Sequence, residues 1–264
     1  MRVIDFHTHA FPDDLAEKAI TALEEHSGDY QAHHNGTISG LLASMDRAGI
    51  EKSVVVSIAT KPSQVPRITD WSIAIASGRI IPFASIHPVY RDFERELDRI
   101  REGGLSGIKL HPMYQEFTVD DPGLFPLYRG IAERGLIVLF HAGNDIAFPV
   151  TGQAAPRRFR RLGEEIPELK MVVSHLGGWT DWDEVETELL GKPVYLETSF
   201  GIGEAEPEQF SRIIANHPPE YLLFGTDSPW LDQSEELAAW KALDLPRERR
   251  EMVFYKNAER LLGI

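Results

Sequence analysis

Eight apolar segments of strand length, most of them separated by helical segments, constrain the fold of this chain more than any other feature. They cover residues 3–6, 54–58, 80–86, 107–110, 136–140, 171–174, 194–198 and 221–224. Alternation of strands and helices predicts parallel strands, and nearly continuous Val, Ile and Leu predict strands that are buried on both faces. Eight such units in one chain predict an α/β fold of the TIM-type (β/α)8 barrel class, with residues 1–264 as a single domain.

The connecting segments support a barrel. Helical periodicity runs through residues 92–102 and 125–134, and Gly135 follows the second segment where a helix commonly ends. A doubly wound open sheet is the alternative, but no Gly-x-Gly-x-x-Gly turn follows the first strand. The segment between the first two strands, residues 11–49, is longer than a single crossover helix requires. Its length predicts an extra helical insertion or lid after the first strand. A last helix over about 247–262 is expected to pack on the outer wall.

Charge and composition narrow the class of partner. The chain has 41 acidic and 27 basic residues, and its net charge of −14 argues against a nucleic-acid partner. No apolar run approaches the ~18 residues of a membrane span, and no signal peptide is apparent, so we expect a cytoplasmic protein. We expect a small-molecule substrate, and the sequence is compatible with either a monomer or a homo-oligomer. The basic cluster of Arg157, Arg158, Arg160 and Arg161 is expected to form a solvated helix face.

The pair His7 and His9 ends the first predicted strand. Residues two apart in a strand point to the same side, so the two imidazoles lie side by side. Two imidazoles on a rigid backbone are half of a coordination shell for zinc or a similar divalent ion. Taken alone, the pair is more often a solvated strand end than a metal site. The absence of cysteine means that any metal must be held by histidine, a carboxylate or a modified side chain.

Other strand ends carry similar chemistry. In a β/α barrel the reactive residues come from the carboxyl ends of the strands. His87 ends the third predicted strand, and the remaining polar residues at strand ends are Lys109 and His111, His141, His175 and Asp227. Strand parity places Asp5 with His7 and His9, and Lys109 with His111, on inward faces. The sequence therefore predicts a divalent-metal site in the mouth of the barrel.

Six ordered motifs resemble the amidohydrolase superfamily, and more closely its amidohydrolase-2 branch, which includes aminocarboxymuconate-semialdehyde decarboxylase-like enzymes. They are IDFHTH at 4–9, GIKLHP at 107–112, HAG at 141–143, SHLGG at 174–178, GTDSP at 225–229 and NAERLL at 257–262. The resemblance spans nearly the whole chain. The ordered set is far more specific than any single motif.

The resemblance implies a metal held by His7, His9, His141 and Asp227. His175 is then either a ligand of a second metal or a catalytic group that polarises the attacking water, and Asp227 is the catalytic acid–base group. Lys109 has two open roles. It is either a cation beside a single metal, which we favour, or a carboxylated ligand that bridges two metals. The expected cofactor is one or two divalent ions, zinc first and manganese as the alternative.

The implied function is a metal-dependent hydrolase that uses a metal-activated water on an amide, ester or lactone of a small acid. The alternative is a metal-dependent decarboxylase or hydratase on the same scaffold, and a noncatalytic metal-binding barrel is a third possibility. Candidate substrate contacts are His111, Tyr114, Gln115, Trp179 and Trp230, although packing explains the last four equally well. We expect His26, His33, His34 and His217 to be surface residues, because they lie away from the strand ends.

Overall fold

The computed structural model describes residues 1–264 and contains one sheet of eight parallel strands in sequential order. The strands are β1 Ile4–Thr8, β2 Lys52–Val56, β3 Ile80–Ser85, β4 Gly107–Leu110, β5 Ile137–Phe140, β6 Lys170–Val173, β7 Tyr195–Glu197 and β8 Leu222–Leu223. Hydrogen bonds from Phe6 N to Phe224 O (2.8 Å) and from Asp227 N to His7 O (2.7 Å) join the first strand to the end of the last. The predicted TIM-type barrel is confirmed.

Twelve α-helices accompany the strands, and every connection between consecutive strands carries at least one. They are α1 Asp13–Glu24, α2 Ile38–Ala48, α3 Val65–Ile75, α4 Phe93–Glu102, α5 Phe125–Glu133, α6 Pro156–Glu165, α7 Trp182–Glu188, α8 Gly201–Glu204, α9 Pro207–Asn216, α10 Gln233–Ala242, α11 Arg247–Glu251 and α12 Asn257–Leu262. A π-helical segment, Met252–Lys256, links α11 and α12 within the predicted last helix. None of the helices combines the length and apolar character that a membrane span requires.

The predicted insertion after β1 consists of α1, α2 and the segment between them. The Thr37 hydroxyl accepts a hydrogen bond from Gly40 N and so caps the start of α2. Gly49 ends the helix with a φ of 74°, a left-handed conformation that favours glycine. Since α2 is the ordinary crossover helix to β2, α1 is the additional element, as the length of the segment predicts.

Two apolar clusters hold the barrel together. A smaller cluster fills its interior with side chains such as Ile4, Phe6, Phe83 and Leu139. A larger cluster joins the outer faces of the strands to the helices, for example through Phe140 of β5 against Phe159 of α6. The strands are therefore buried on both faces, which is why they form continuous apolar runs in the sequence.

A bulge in β1 breaks the predicted alternation of its side chains. The register with β2 shifts between Asp5 and Thr8, and a bulge re-aims the residues that follow it. Ile4 and Phe6 face the interior, whereas Asp5 accepts hydrogen bonds from Thr226 Oγ1 (2.6 Å) and Gln233 Nε2 (2.8 Å). The expectation that Asp5 shares the face of His7 and His9 is therefore wrong.

One of the four histidines expected at the surface is buried. His217 is 1% exposed, and its Nε2 lies 3.0 Å from Val194 O. The prediction for His217 is wrong because a tertiary contact between the end of α9 and the start of β7 covers the ring. His26 and His33 are exposed and His34 is half-buried.

The basic cluster on α6 is engaged in ion pairs with neighbouring segments. Arg157 contacts Glu184, and Arg158 contacts Asp120. Arg160 contacts Glu188, and Arg161 shares Asp120 with Arg158. Arg161 remains more than half exposed and Arg158 about a quarter. The cluster is therefore a partly solvated face whose charges are paired.

Close packing inside the barrel gives a first prediction. A Cβ atom on Gly107 of β4 would lie 2.5 Å from the buried ring of Phe83. We expect Gly107→Ala to lower the free energy of unfolding by about 1–3 kcal/mol, measured by chemical denaturation, because the ring has no space to move. Phe83→Leu should restore part of this loss in the Gly107→Ala background.

Gly78→Ala is the matched control, since no atom lies within 4 Å of its added Cβ. Equal unfolding free energies for the Gly107 and Gly78 variants would contradict the packing described for β3 and β4.

Candidate functional site

The carboxyl end of the barrel brings together all six side chains predicted to form the metal site. His7, Lys109, His141, His175 and Asp227 are buried, and the side chain of His9 is 13% exposed. Five strands or strand ends deliver them: β1, β4, β5, β6 and the segment after β8. His87, which lies two residues beyond the end of β3, does not line the cavity described below. The functional chemistry is therefore concentrated at one end of the barrel.

His7 and His9 point the same ring atom at Asp227. Their Nε2 atoms lie 3.2 and 2.9 Å from Asp227 Oδ1. The opposite ring nitrogens are held by acceptors, because His7 Nδ1 lies 2.8 Å from Glu197 Oε2 and His9 Nδ1 lies 3.0 Å from Val56 O. A neutral ring that donates from Nδ1 presents a lone pair at Nε2. Both lone pairs therefore face the same carboxylate oxygen.

His141 and His175 form a second pair of converging nitrogens. His141 Nε2 donates to Asn144 O at 2.9 Å, which leaves Nδ1 with a lone pair. His175 Nδ1 lies 2.8 Å from Ser199 Oγ, and its Nε2 lies 3.0 Å from His141 Nδ1. When Nδ1 of His175 donates to the serine, the two facing nitrogens are both acceptors. A cation between them is the natural partner for such a pair.

Burial keeps the imidazoles of His7, His141 and His175 neutral. It holds the pKa values of His7 and His175 well below the usual value and lowers that of His141 to about 3. Burial opposes ionisation of Asp227 too, but the neighbouring His7 and His9 outweigh it and lower its pKa below the usual value. Neutral nitrogens around an ionised carboxylate are the protonation states that metal ligation requires.

These residues fit a divalent cation. Asp227 Oδ1 is buried and has no hydrogen-bond partner, which is costly for a charged oxygen. The ligand atoms of His7, His9 and Asp227 all lie within 4.8 Å of one another. A cation at this point would satisfy the orphaned oxygen and the two lone pairs together. Nitrogen and oxygen donors without thiolate suit several divalent metals.

Lys109 lies against this group and is almost fully buried, with 1% exposure. Its Nζ is 3.1 Å from His7 Nε2. Burial lowers the pKa of Lys109 to about 8, although Asp227 and Glu197 act in the opposite direction. Its place beside the histidines is compatible with both roles that the sequence leaves open.

Two acidic residues in the site were not anticipated from the sequence. Glu197 of β7 is fully buried, and its Oε2 contacts both His7 Nδ1 and Ser199 Oγ (2.9 Å). It orients His7 directly and His175 through Ser199. A carboxylate inside an otherwise apolar strand segment was an available signal for Glu197. Asp145 lies in the loop after β5, 3.2 Å from His111 Nε2, and no sequence pattern marks it.

Burial raises the pKa of Glu197 to about 8, against the hydrogen bonds from Ser199. The 2.8 Å contact between Glu197 Oε2 and His7 Nδ1 therefore holds one proton, which is carried either by the carboxyl group or by the ring. Cation binding at His7 Nε2 requires the ring proton to sit on Nδ1, facing the ionised carboxylate. Occupancy of the site and ionisation of Glu197 are therefore coupled.

Two of the site residues adopt left-handed backbone conformations. His175 and Asp227 both have φ angles of 57°, and Leu176 follows at 54°. Such conformations cost free energy in residues other than glycine and cluster at functional sites. The turns after β6 and β8 therefore hold their side chains at some conformational cost.

A cavity of about 490 Å³ opens above the site. Four of the predicted substrate contacts, His111, Tyr114, Trp179 and Trp230, are among its 30 lining residues. Gln115 is not; it is buried and bonds to His111 N, Ala59 O and Ile86 O, so it braces the loop instead. The insertion after β1 forms part of the wall, with Phe11, Leu15, Leu23 and Tyr30.

A β/α barrel with histidines and a carboxylate converging at its carboxyl end defines a class of metal-dependent barrel enzymes. The family model of the amidohydrolases matches residues 4–264. The chain belongs to this family, in its amidohydrolase-2 branch, and is an enzyme of the amidohydrolase superfamily. No curated protein shows a significant sequence match to the chain.

Solved structures share the fold at low sequence identity. An uncharacterised TIM-barrel protein from Bordetella bronchiseptica is 20% identical, with a TM-score of 0.81 over 100% of this chain and 99% of the other. A 2,6-dihydroxybenzoate decarboxylase from Rhizobium is 16% identical, with a TM-score of 0.74 over 100% and 99% of the chains. A 5-carboxyvanillate decarboxylase from Novosphingobium aromaticivorans, complexed with manganese and a nitrobenzoic acid, is 16% identical, with a TM-score of 0.73 over 99% and 96%.

The Glu197 contacts give a prediction about metal affinity. Glu197→Gln leaves one acceptor oxygen where His7 Nδ1, Ser199 N and Ser199 Oγ need two. We expect divalent-metal binding to the apoprotein, measured by calorimetry, to weaken about 10–100-fold, because the orientation and basicity of His7 are lost. Glu204→Gln, at a surface residue outside the cavity lining, is the control and should bind metal normally. Wild-type affinity in Glu197→Gln would remove the residue from this role.

Proposed function

We propose that the protein is a divalent-metal-dependent decarboxylase of a small aromatic or unsaturated carboxylic acid. The observation that carries the proposal is the position of Asp227 Oδ1, a buried carboxylate oxygen without a hydrogen-bond partner that faces two imidazole nitrogens. It lies at the floor of a cavity whose walls include Trp71, Tyr114 and Trp179. A metal-ligand set under aromatic walls suits a flat, anionic substrate.

The likeness to two decarboxylases favours this reaction over hydrolysis. Both act on ring carboxylates according to their names, and one is complexed with manganese. These proteins share the fold of the chain, and its amidohydrolase family accommodates either reaction. Hydrolysis of an amide, ester or lactone, the function first expected from the sequence, is the alternative against which the proposal is tested.

We propose that His7, His9, His141 and Asp227 hold the metal. When bound, a divalent cation supplies Lewis-acid stabilisation of negative charge on substrate oxygens. Manganese and zinc both suit these nitrogen and oxygen donors. His175, oriented by Ser199, is proposed to contact the bound carboxylate or a second ion.

Decarboxylation needs one proton at the reacting carbon. The carbon–carbon bond to the carboxylate breaks, carbon dioxide leaves, and the electron pair left on the carbon takes up a proton. Asp227 Oδ1 faces the two histidines. We propose that the ionised Asp227 carboxylate takes a proton from water and passes it to the reacting carbon, which returns the carboxylate to its ionised form. Lys109, as a buried ammonium beside His7, stabilises negative charge that develops near the floor.

The proposal predicts release of carbon dioxide by the purified, manganese- or zinc-loaded protein from hydroxybenzoates such as 2,6-dihydroxybenzoate. Release should stop after chelation of the metal and return when the metal is restored. A panel of lactones, esters and amides of the same acids, followed by proton release, is the parallel assay. Turnover of that panel without carbon dioxide release would replace the proposal with hydrolysis.

Asp227→Asn should lower turnover by about 10²–10⁴-fold, because an amide cannot carry the proton. Asparagine tolerates the left-handed backbone at this position, so thermal unfolding should stay close to that of the wild type. Asp70→Asn, at an exposed residue of α3, is the control and should retain activity. Activity retained in Asp227→Asn would exclude this acid–base role.

A further inference from the structure

The cavity has a polar floor and an outer part in which apolar side chains predominate, with His26, Gln64 and Arg67 among them. Histidines, Lys109 and Asp227 form the floor at the strand ends. Segments beyond the strand ends contribute the outer chamber, which we define by six residues: Phe11, Leu15, Leu23, Ile58, Ile68 and Ile146. A substrate that places its carboxylate on the floor extends its other end into this chamber.

The size of the cavity exceeds what a bare single-ring acid requires. A volume of 490 Å³ would hold roughly sixteen waters at ~30 Å³ each, and it falls within the range of about 300–1,000 Å³ found for pockets that enclose much larger ligands. A one-ring acid seated on the floor therefore leaves the outer chamber to water.

Two chamber residues are unusually exposed for large apolar side chains. Leu15 of α1 is 52% exposed and Ile146, in the loop after β5, is 49% exposed. Away from the chain termini, only Val89 and Val150 share this property, and neither lines the cavity. An exposed apolar surface continuous with a binding cavity marks a place where ligand burial is favourable.

The chamber is roofed by a contact between two separate segments. A Cβ placed on Gly28, after α1, would lie 2.6 Å from Ile146 Cδ1, so the isoleucine packs directly on the glycine backbone. On another side Tyr30 packs edge-on against Phe200 and hydrogen-bonds to Glu204. The insertion and the loop after β5 thus enclose the apolar space from opposite sides.

We infer that the outer chamber binds an apolar substituent of the substrate, which makes the substrate a carboxylic acid with an alkyl chain or second ring opposite the reacting carboxylate. This inference rests on the proposed function for the orientation of the acid. The inference adds a substrate class to the proposed reaction. The single-ring acids in the names of the similar structures carry neither an alkyl chain nor a second ring.

The test is a homologous series of 4-alkyl-2-hydroxybenzoates, from hydrogen to hexyl, bound to the manganese-loaded protein and measured by calorimetry. A substituent in this position points away from the carboxylate and hence from the floor. We expect Kd to fall about fourfold for each of the first few methylenes, the equivalent of roughly 0.8 kcal/mol per buried CH₂. A Kd that does not change with chain length, or no binding by any member, overturns the inference.

Substitutions of chamber residues test where the alkyl substituent binds. Leu15→Ala and Ile146→Ala should weaken binding of the hexyl compound about three- to tenfold and leave the unsubstituted acid unchanged. Val89→Ala removes an equally exposed apolar side chain outside the cavity and should change neither. Equal effects of Leu15→Ala and Val89→Ala on the hexyl compound would overturn the assignment of the chamber.

Carbon dioxide release from the same series separates this inference from the proposed function. Tighter binding with chain length but no release contradicts decarboxylation and leaves the chamber intact. Release from the unsubstituted acid without tighter binding along the series contradicts the chamber alone.

Discussion

The hydrogen bonds of the Asp5 carboxylate connect the beginning of the barrel to its end, and the site depends on them. Asp5 accepts from Thr226 N at 3.0 Å as well as from Thr226 Oγ1 and Gln233 Nε2. It also accepts from His7 N, which sets the turn of the chain at the bulge. Burial raises the pKa of Asp5 to about 7, because a buried carboxylate loses its hydration. The hydrogen bonds from Thr226, Gln233 and His7 N offset part of this desolvation cost. These bonds bring His7 and Asp227 together across the seam between β1 and β8, with 3.2 Å between His7 Nε2 and Asp227 Oδ1.

The fold was predictable because buried parallel strands leave a strong local signal. Gly107–Leu110 agrees with its predicted segment, and the other strands differ from theirs by at most two residues at either end. The left-handed Gly135 after α5 likewise follows from local chemistry. The bulge at Asp5 did not follow, because it depends on Thr226 and Gln233, which lie more than 200 residues away in the chain.

The site was predictable where polar residues end strands and was missed where they lie within a strand or a loop. His7, His9, His141, His175 and Asp227 gather as expected from barrel geometry. Glu197 was overlooked because it lies inside an apolar run, although that position is itself unusual for a carboxylate. Asp145 reaches His111 from a loop whose path has no sequence signature. His217 was misassigned because its burial depends on packing between α9 and β7.

The roof over the cavity is built differently from its floor. Its two parts meet through the contact of Ile146 with Gly28, and Tyr30 of the insertion hydrogen-bonds to Glu204. Separating Ile146 from Gly28 breaks no strand pairing. The loop that carries Ile146 also contacts the site, because Asn144 O accepts a hydrogen bond from His141 Nε2 and Asp145 Oδ2 lies 3.2 Å from His111 Nε2. Motion of the loop after β5 would therefore reach the ring of His141, whereas His7 and His9 are held from the barrel wall, by Glu197 and Val56 O.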